Sequence, residues 1–129
     1  MALYSDVKVV EQIGFDLVKL IENGEMHSKK MTQLLEEYLL PMVAQDIDYL
    51  VLGCTHYPYL IPQIQKIIPN HIKIIDSGEA VAKQTKHILE INDLFNTSKD
   101  VNHTFYINNP PEVMQKLIGP KFKVNYKDF

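Results

Sequence analysis

The sequence contains no arginine. All 13 of its basic residues are lysines, so the planar fork that grips guanine, phosphate or a carboxylate in two places is missing. An anion site in this chain therefore rests on backbone N–H groups, hydroxyls or lysine. The net charge of −3 lacks the positive excess that a nucleic-acid partner requires. A single cysteine allows no internal disulfide, and the start Met1-Ala2-Leu3-Tyr4-Ser5-Asp6 has no basic stretch followed by an apolar one. Both features point to the cytoplasm. No apolar run approaches the ~18 residues that span a bilayer, which excludes a membrane partner. The five glycines are spread singly, so no glycine-rich nucleotide loop is present.

What remains is an ordinary globular composition, 46% hydrophobic and 22% charged over 129 residues. That length is one domain's worth or a piece of a larger protein.

The chain is organised around Tyr49-Leu-Val-Leu-Gly-Cys-Thr-His-Tyr-Pro58. The apolar run 49–52 predicts a short strand buried on both faces. Cys54, Thr55 and His56 fill the turn after it, and Pro58 suits the first position of a helix continued by Leu60, Ile61, Ile64, Ile67 and Ile68. In a parallel α/β sheet, this puts Cys54 at the carboxyl end of a strand and beside a helix N-terminus, which favours anions and thiolates.

Elsewhere, residues 7–10, 72–75 and 104–107 are further strand candidates, and the tail 122–126 alternates weakly enough to add a small strand. Phe15, Leu17, Val18, Leu20 and Ile21 form a helical cluster stopped by Asn23-Gly24. Met31, Leu34, Leu35, Tyr38, Leu39, Met42 and Val43 recur at helical spacing after a capping Ser28, with a kink expected at Pro41. Asp76-Ser77-Gly78-Glu79 has the form of a capping box, with Asp76 as the cap of a helix running to about residue 91. Residues 92–102 are a polar loop, and a short helix over 111–117 closes at Gly119-Pro120. Alternating strands and helices give an α/β fold, a parallel sheet flanked by helices. About four strands are too few for a complete doubly wound sheet.

Cys54 with His56 two residues on is a candidate nucleophile or base with an imidazole partner. The plainer alternative is a cysteine acting as a small buried hydrophobe and a histidine satisfied in a loop. A metal site requires more ligands than these two, because His27, His71, His87 and His103 stand at no ligand spacing. A cysteine-phosphatase loop would need an arginine.

Leu52-Gly53-Cys54-Thr55-His56-Tyr57-Pro58, followed by Ile75-Asp76-Ser77-Gly78, resembles the C-terminal part of glutamate racemase, within the aspartate/glutamate racemase family. The resemblance extends to Leu20-Ile21-Glu22-Asn23-Gly24-Glu25 and to Phe105-Tyr106-Ile107 with the helix after it. It implies two similar α/β domains, with about 7–76 from the second and about 77–129 returning to the first. It also implies cofactor-independent interconversion of L- and D-glutamate by two cysteines on opposite faces of Cα, supplying D-glutamate for peptidoglycan. By resemblance, Cys54 is the second of those cysteines, His56 assists it, Thr55 holds the substrate carboxylate, and Glu22 is an acidic residue near the site. Where the family has a Cys-Pro pair ahead of that acidic residue, this chain has Ile13-Gly14-Phe15.

The family's other cysteine segment, followed by asparagine and threonine, is absent. One thiol cannot occupy both faces of Cα, so the resemblance implies a portion inactive alone that associates, as a homodimer or otherwise, through an exposed sheet edge. Two further readings stand beside it. One is a non-catalytic module binding a carboxylate or a partner protein, and the other is a one-cysteine relative whose thiol protonates an enolate formed by another reaction.

Overall fold

The computed structural model describes residues 6–96, 98 and 100–129. It divides into two compact units, one comprising the residues up to Ile21 with Glu25–Asp76, the other Glu22–Gly24 with Ser77–Phe129.

The first unit is built on α1 (Leu17–Glu22) and α2 (Lys29–Val43). In α1, Leu17, Leu20 and Ile21 are buried, the i, i+3, i+4 positions of one helical face. The helix ends before Gly24, whose φ of 73° is a left-handed conformation open to glycine without a Cβ clash. Ser28 caps α2, its hydroxyl accepting from the Met31 N–H at 3.1 Å. Met31, Leu35 and Leu39 then bury one stripe of the helix. Pro41 lies in the last turn, where it removes a single bond and the helix runs only to Val43.

After α2 come β1 (Tyr49–Val51), a 3-10 turn (Tyr57–Leu60), α3 (Ile61–Ile67) and β2 (Lys73–Ile75). β1 and β2 pair in parallel, Tyr49 with Lys73 and Val51 with Ile75, so this stretch is a β-α-β unit. Leu50 and Leu52 point into a core shared with Leu60, Ile64, Ile68 and Ile72. α3 is tied down by Gln63, whose side-chain amide donates to the Met26 carbonyl at 2.9 Å.

The second unit contains α4 (Gly78–Ile91), β3 (Phe105–Ile107), α5 (Pro111–Ile118) and β4 (Val124–Tyr126). β3 and β4 are also parallel, a second β-α-β unit. Gln115 holds its connection: its amide donates to Gly119 and Phe122 carbonyls at 2.8 and 2.7 Å, and its carbonyl accepts from the Val124 N–H at 3.1 Å. Phe105 packs edge-on against Phe122 at 5.3 Å. Neither α4 nor α5 buries a side chain. Val81, Ile88 and Ile91 lie exposed along α4.

The α/β class and parallel pairing agree with the sequence reading, but several local expectations change. Residues 7–10 form no strand, and Val9 is 81% exposed. Strand propensity needs a neighbouring strand for its backbone groups, and no strand pairs with this segment among the described residues. β1 is not buried on both faces: its pattern is exposed, buried, exposed. The strands form two separate pairs rather than one sheet. Ser77 rather than Asp76 sits at the N-cap of α4, in the right-handed helical region and with no cap bond from its own side chain. In the 92–102 loop, residues 97 and 99 lie outside the described residues, and the others are irregular beyond the end of α4.

Candidate functional site

β1 stops at Val51, although one further ladder bond, from the Leu52 N–H to the Ile75 carbonyl at 2.8 Å, carries the pairing to the edge of the turn. Cys54, Thr55 and His56 then turn the chain. The Tyr57 N–H donates to the Cys54 carbonyl at 3.1 Å, and the Tyr59 N–H donates to that of His56 at 3.2 Å. This tight turn folds the side chains at 54 and 56 toward each other. Cys54 Sγ lies 3.8 Å from His56 Nδ1, and both residues are half-buried. Thr55, between them, is exposed. β2 ends beside this turn, with Asp76 half-buried directly after it.

The helix N-terminus is not where the sequence reading places it. Pro58 falls in the 3-10 turn, and α3 begins only at Ile61, with Pro62 in its first turn. Two prolines within five residues each remove a donor and delay regular α-helical bonding. The groups immediately around Cys54 are those of the turn itself.

The structure thus brings Cys54 and His56 together and leaves Thr55 open beside them. Glu22 is exposed at the C-terminal end of α1. Tyr57 is the residue that the sequence reading left without a role. Its hydroxyl donates to the Gly14 carbonyl at 3.4 Å. Burial, then the neighbouring Cys54 and Tyr38, raise its pKa above the ordinary phenol value and keep the hydroxyl a neutral donor. Tyr57 stands inside the conspicuous motif, but its partner is 43 residues away and carries no local mark. A concavity of about 410 Å³ in the first unit is lined by Ile61, Ile68, Ile72 and their neighbours, with none of the turn residues among them. Among the described residues, no group of three or more His, Cys, Asp or Glu side chains is arranged to hold a metal ion. No helix is long and apolar enough to cross a membrane.

No protein-family model matches the chain. Curated relatives do. The glutamate racemases of Pseudomonas putida strains F1 and KT2440 are each 40% identical over 114 residues, 88% of this chain and 43% of each relative. The glutamate racemase of Stutzerimonas stutzeri strain A1501 is 38% identical over the same length. Among solved structures, glutamate racemase isoform RacE1 from Bacillus anthracis superimposes with a TM-score of 0.79 at 28% identity, covering 96% of this chain and 48% of that one. The Francisella tularensis glutamate racemase, solved with D-glutamate, gives 0.70 at 28%, covering 87% and 43%.

The class is therefore an α/β protein with a cysteine-histidine turn at a parallel strand end. More particularly, the chain resembles the C-terminal part of glutamate racemase along most of its length, and it spans less than half the length of the relatives it matches.

Proposed function

We propose that this chain is the C-terminal portion of a cofactor-independent glutamate racemase and supplies one of the two groups that move the Cα proton. The observation that carries the reading is the 3.8 Å approach of Cys54 Sγ to His56 Nδ1 at the carboxyl end of β1, in a chain similar to glutamate racemases over 88% of its length. In this reading Cys54 removes or returns the proton on one face of glutamate, and His56 exchanges a proton with the thiol. Thr55 grips the substrate carboxylate through its hydroxyl, which helps to stabilise charge as it develops. Glu22 is the acidic residue near the site. The glutamate bound in the Francisella tularensis enzyme supports glutamate as the substrate class.

Inversion at Cα requires a second acid/base group on the opposite face. The sequence has one cysteine, so that group comes from the remaining part of the enzyme. Residues 7–76 then belong to the second α/β domain and 77–129 return to the first, a division supported by the boundary between Asp76 and Ser77. The product D-glutamate serves peptidoglycan synthesis and cell shape in the cytoplasm.

The test is racemisation of L- and D-glutamate followed by circular dichroism. The chain alone is expected to show none. Co-expression with the N-terminal part of the Pseudomonas putida F1 relative is expected to restore it, and Cys54→Ala to abolish it again. Sustained racemisation by the isolated chain would overturn the count of bases.

A further inference from the structure

Cys54 and His56 sit in a turn rather than on a regular element, so the 3.8 Å approach of sulfur to imidazole depends on whatever fixes that turn. Its start is open, since a Cβ added at Gly53 would meet nothing within 4 Å. Its end is anchored through Tyr57. The Tyr57 N–H closes the turn on the Cys54 carbonyl at 3.1 Å, and the phenol of the same residue donates to the Gly14 carbonyl at 3.4 Å. Tyr38, on α2, donates to the next carbonyl, that of Phe15, at 3.3 Å. Two phenols thus hold consecutive carbonyls of the segment entering α1. The fit is close at Gly14, where a Cβ would lie 2.6 Å from the Tyr57 hydroxyl, so a side chain there displaces the phenol.

We propose that Tyr57 is a positioning residue for Cys54 and His56: seated on the Gly14 carbonyl, its side chain fixes the turn in which the imidazole meets the sulfur. This role rests on the reading of those two residues as an acid/base pair and adds what holds them at their distance. A short turn with one end facing open space opens readily unless a side chain ties it to the rest of the fold. Tyr57 makes that tie within one residue. Its N–H is bonded to Cys54 and its ring reaches a distant segment, so a shift of the phenol passes to the sulfur through the backbone. The hydroxyl is also a lasting donor. Burial first, then the neighbouring Cys54 and Tyr38, hold it above the ordinary phenol value, so it keeps its proton through the pH range in which a thiol and an imidazole exchange theirs. Phenylalanine at this position would fill the same space and leave the turn without its anchor.

The experiment uses the whole chain with Tyr57→Phe, Gly14→Ala, His56→Ala and, as a control for general destabilisation of the same unit, Ser28→Ala at the cap of α2. It reads hydrogen exchange of the Tyr57 and Tyr59 amides, which close the turn, and the rate at which iodoacetamide alkylates Cys54. Tyr57→Phe should speed exchange at both amides about threefold or more and slow alkylation by a similar factor. Gly14→Ala, which keeps the hydroxyl but pushes it away, should act in the same direction, and Ser28→Ala should do neither. If phenol and imidazole act on one sulfur, the double variant Tyr57→Phe/His56→Ala alkylates no more slowly than His56→Ala alone. Far-ultraviolet circular dichroism like the parent's certifies the fold of each variant. Turn amides that exchange in Tyr57→Phe as they do in the parent, an effect of equal size in Ser28→Ala, or fully additive losses in the double variant would each overturn the proposal. An alkylation rate unchanged in His56→Ala while Tyr57→Phe loosens the turn refutes the acid/base pair and leaves the anchor standing.

Discussion

The phenol of Tyr57 reaches the backbone of Gly14, its hydroxyl donating to that carbonyl at 3.4 Å, and a Cβ placed on Gly14 would lie 2.6 Å from the same oxygen and 2.7 Å from Leu17 Cδ1. The residue three positions after Cys54 is thus held against the segment leading into α1, and only glycine admits so close an approach. Tyr38 makes a similar contact one residue on, donating to the Phe15 carbonyl at 3.3 Å.

Gly14→Ala should destabilise the first unit by about 1–3 kcal/mol, the usual cost of forcing a methyl into occupied space. Tyr57→Phe, which loses one long, half-buried hydrogen bond, should cost about 0.5–1.5 kcal/mol at most. Urea unfolding followed by circular dichroism orders the two. An alanine variant as stable as the parent would show that Tyr57 and Leu17 move aside freely.

Ser28→Ala removes the acceptor for the Met31 N–H and should lower stability by about 1 kcal/mol. Ser28→Asp, which keeps an acceptor at the cap, should restore most of it. Loss of equal size in both variants would show that the cap bond contributes little.

The phenols of Tyr57 and Tyr38 are both held above the ordinary value, in each case chiefly by burial. A raised phenol binds its proton more tightly in the folded state, so its contribution to stability is complete below the unfolded value of about 10. It is lost as pH rises through the folded value. In a titration followed by phenolate absorbance, Tyr57→Phe should remove one phenol that ionises above the ordinary value.

Cys54 is the only thiol and is half-buried, so iodoacetamide should label the folded chain at one site. The rate should fall several-fold in His56→Ala if the imidazole 3.8 Å away assists the sulfur. An unchanged rate across pH 6–9 in that variant would separate His56 from the thiol's chemistry.

Which parts of this protein were readable from sequence follows from the reach of the bonds involved. Helix α2 was legible because its hydrogen bonds run four residues along the chain. The Met31, Leu35, Leu39 stripe and the Ser28 cap are therefore local statements, as is the end of α1 at Gly24. The Cys54-Thr55-His56 turn and its place at a strand end were equally plain, because an apolar run followed at once by polar residues and proline is written in consecutive positions. Strand pairing was not. A β ladder joins residues distant in sequence, so the valines of 7–10 gave the strand pattern without acquiring a partner, while 73–75 and 124–126 found theirs. The bare face of β1, the delay of α3 behind a 3-10 turn and the contact of Tyr57 with Gly14 arise in the same way. Each depends on what the folded chain brings alongside, and that was decided by tertiary packing alone.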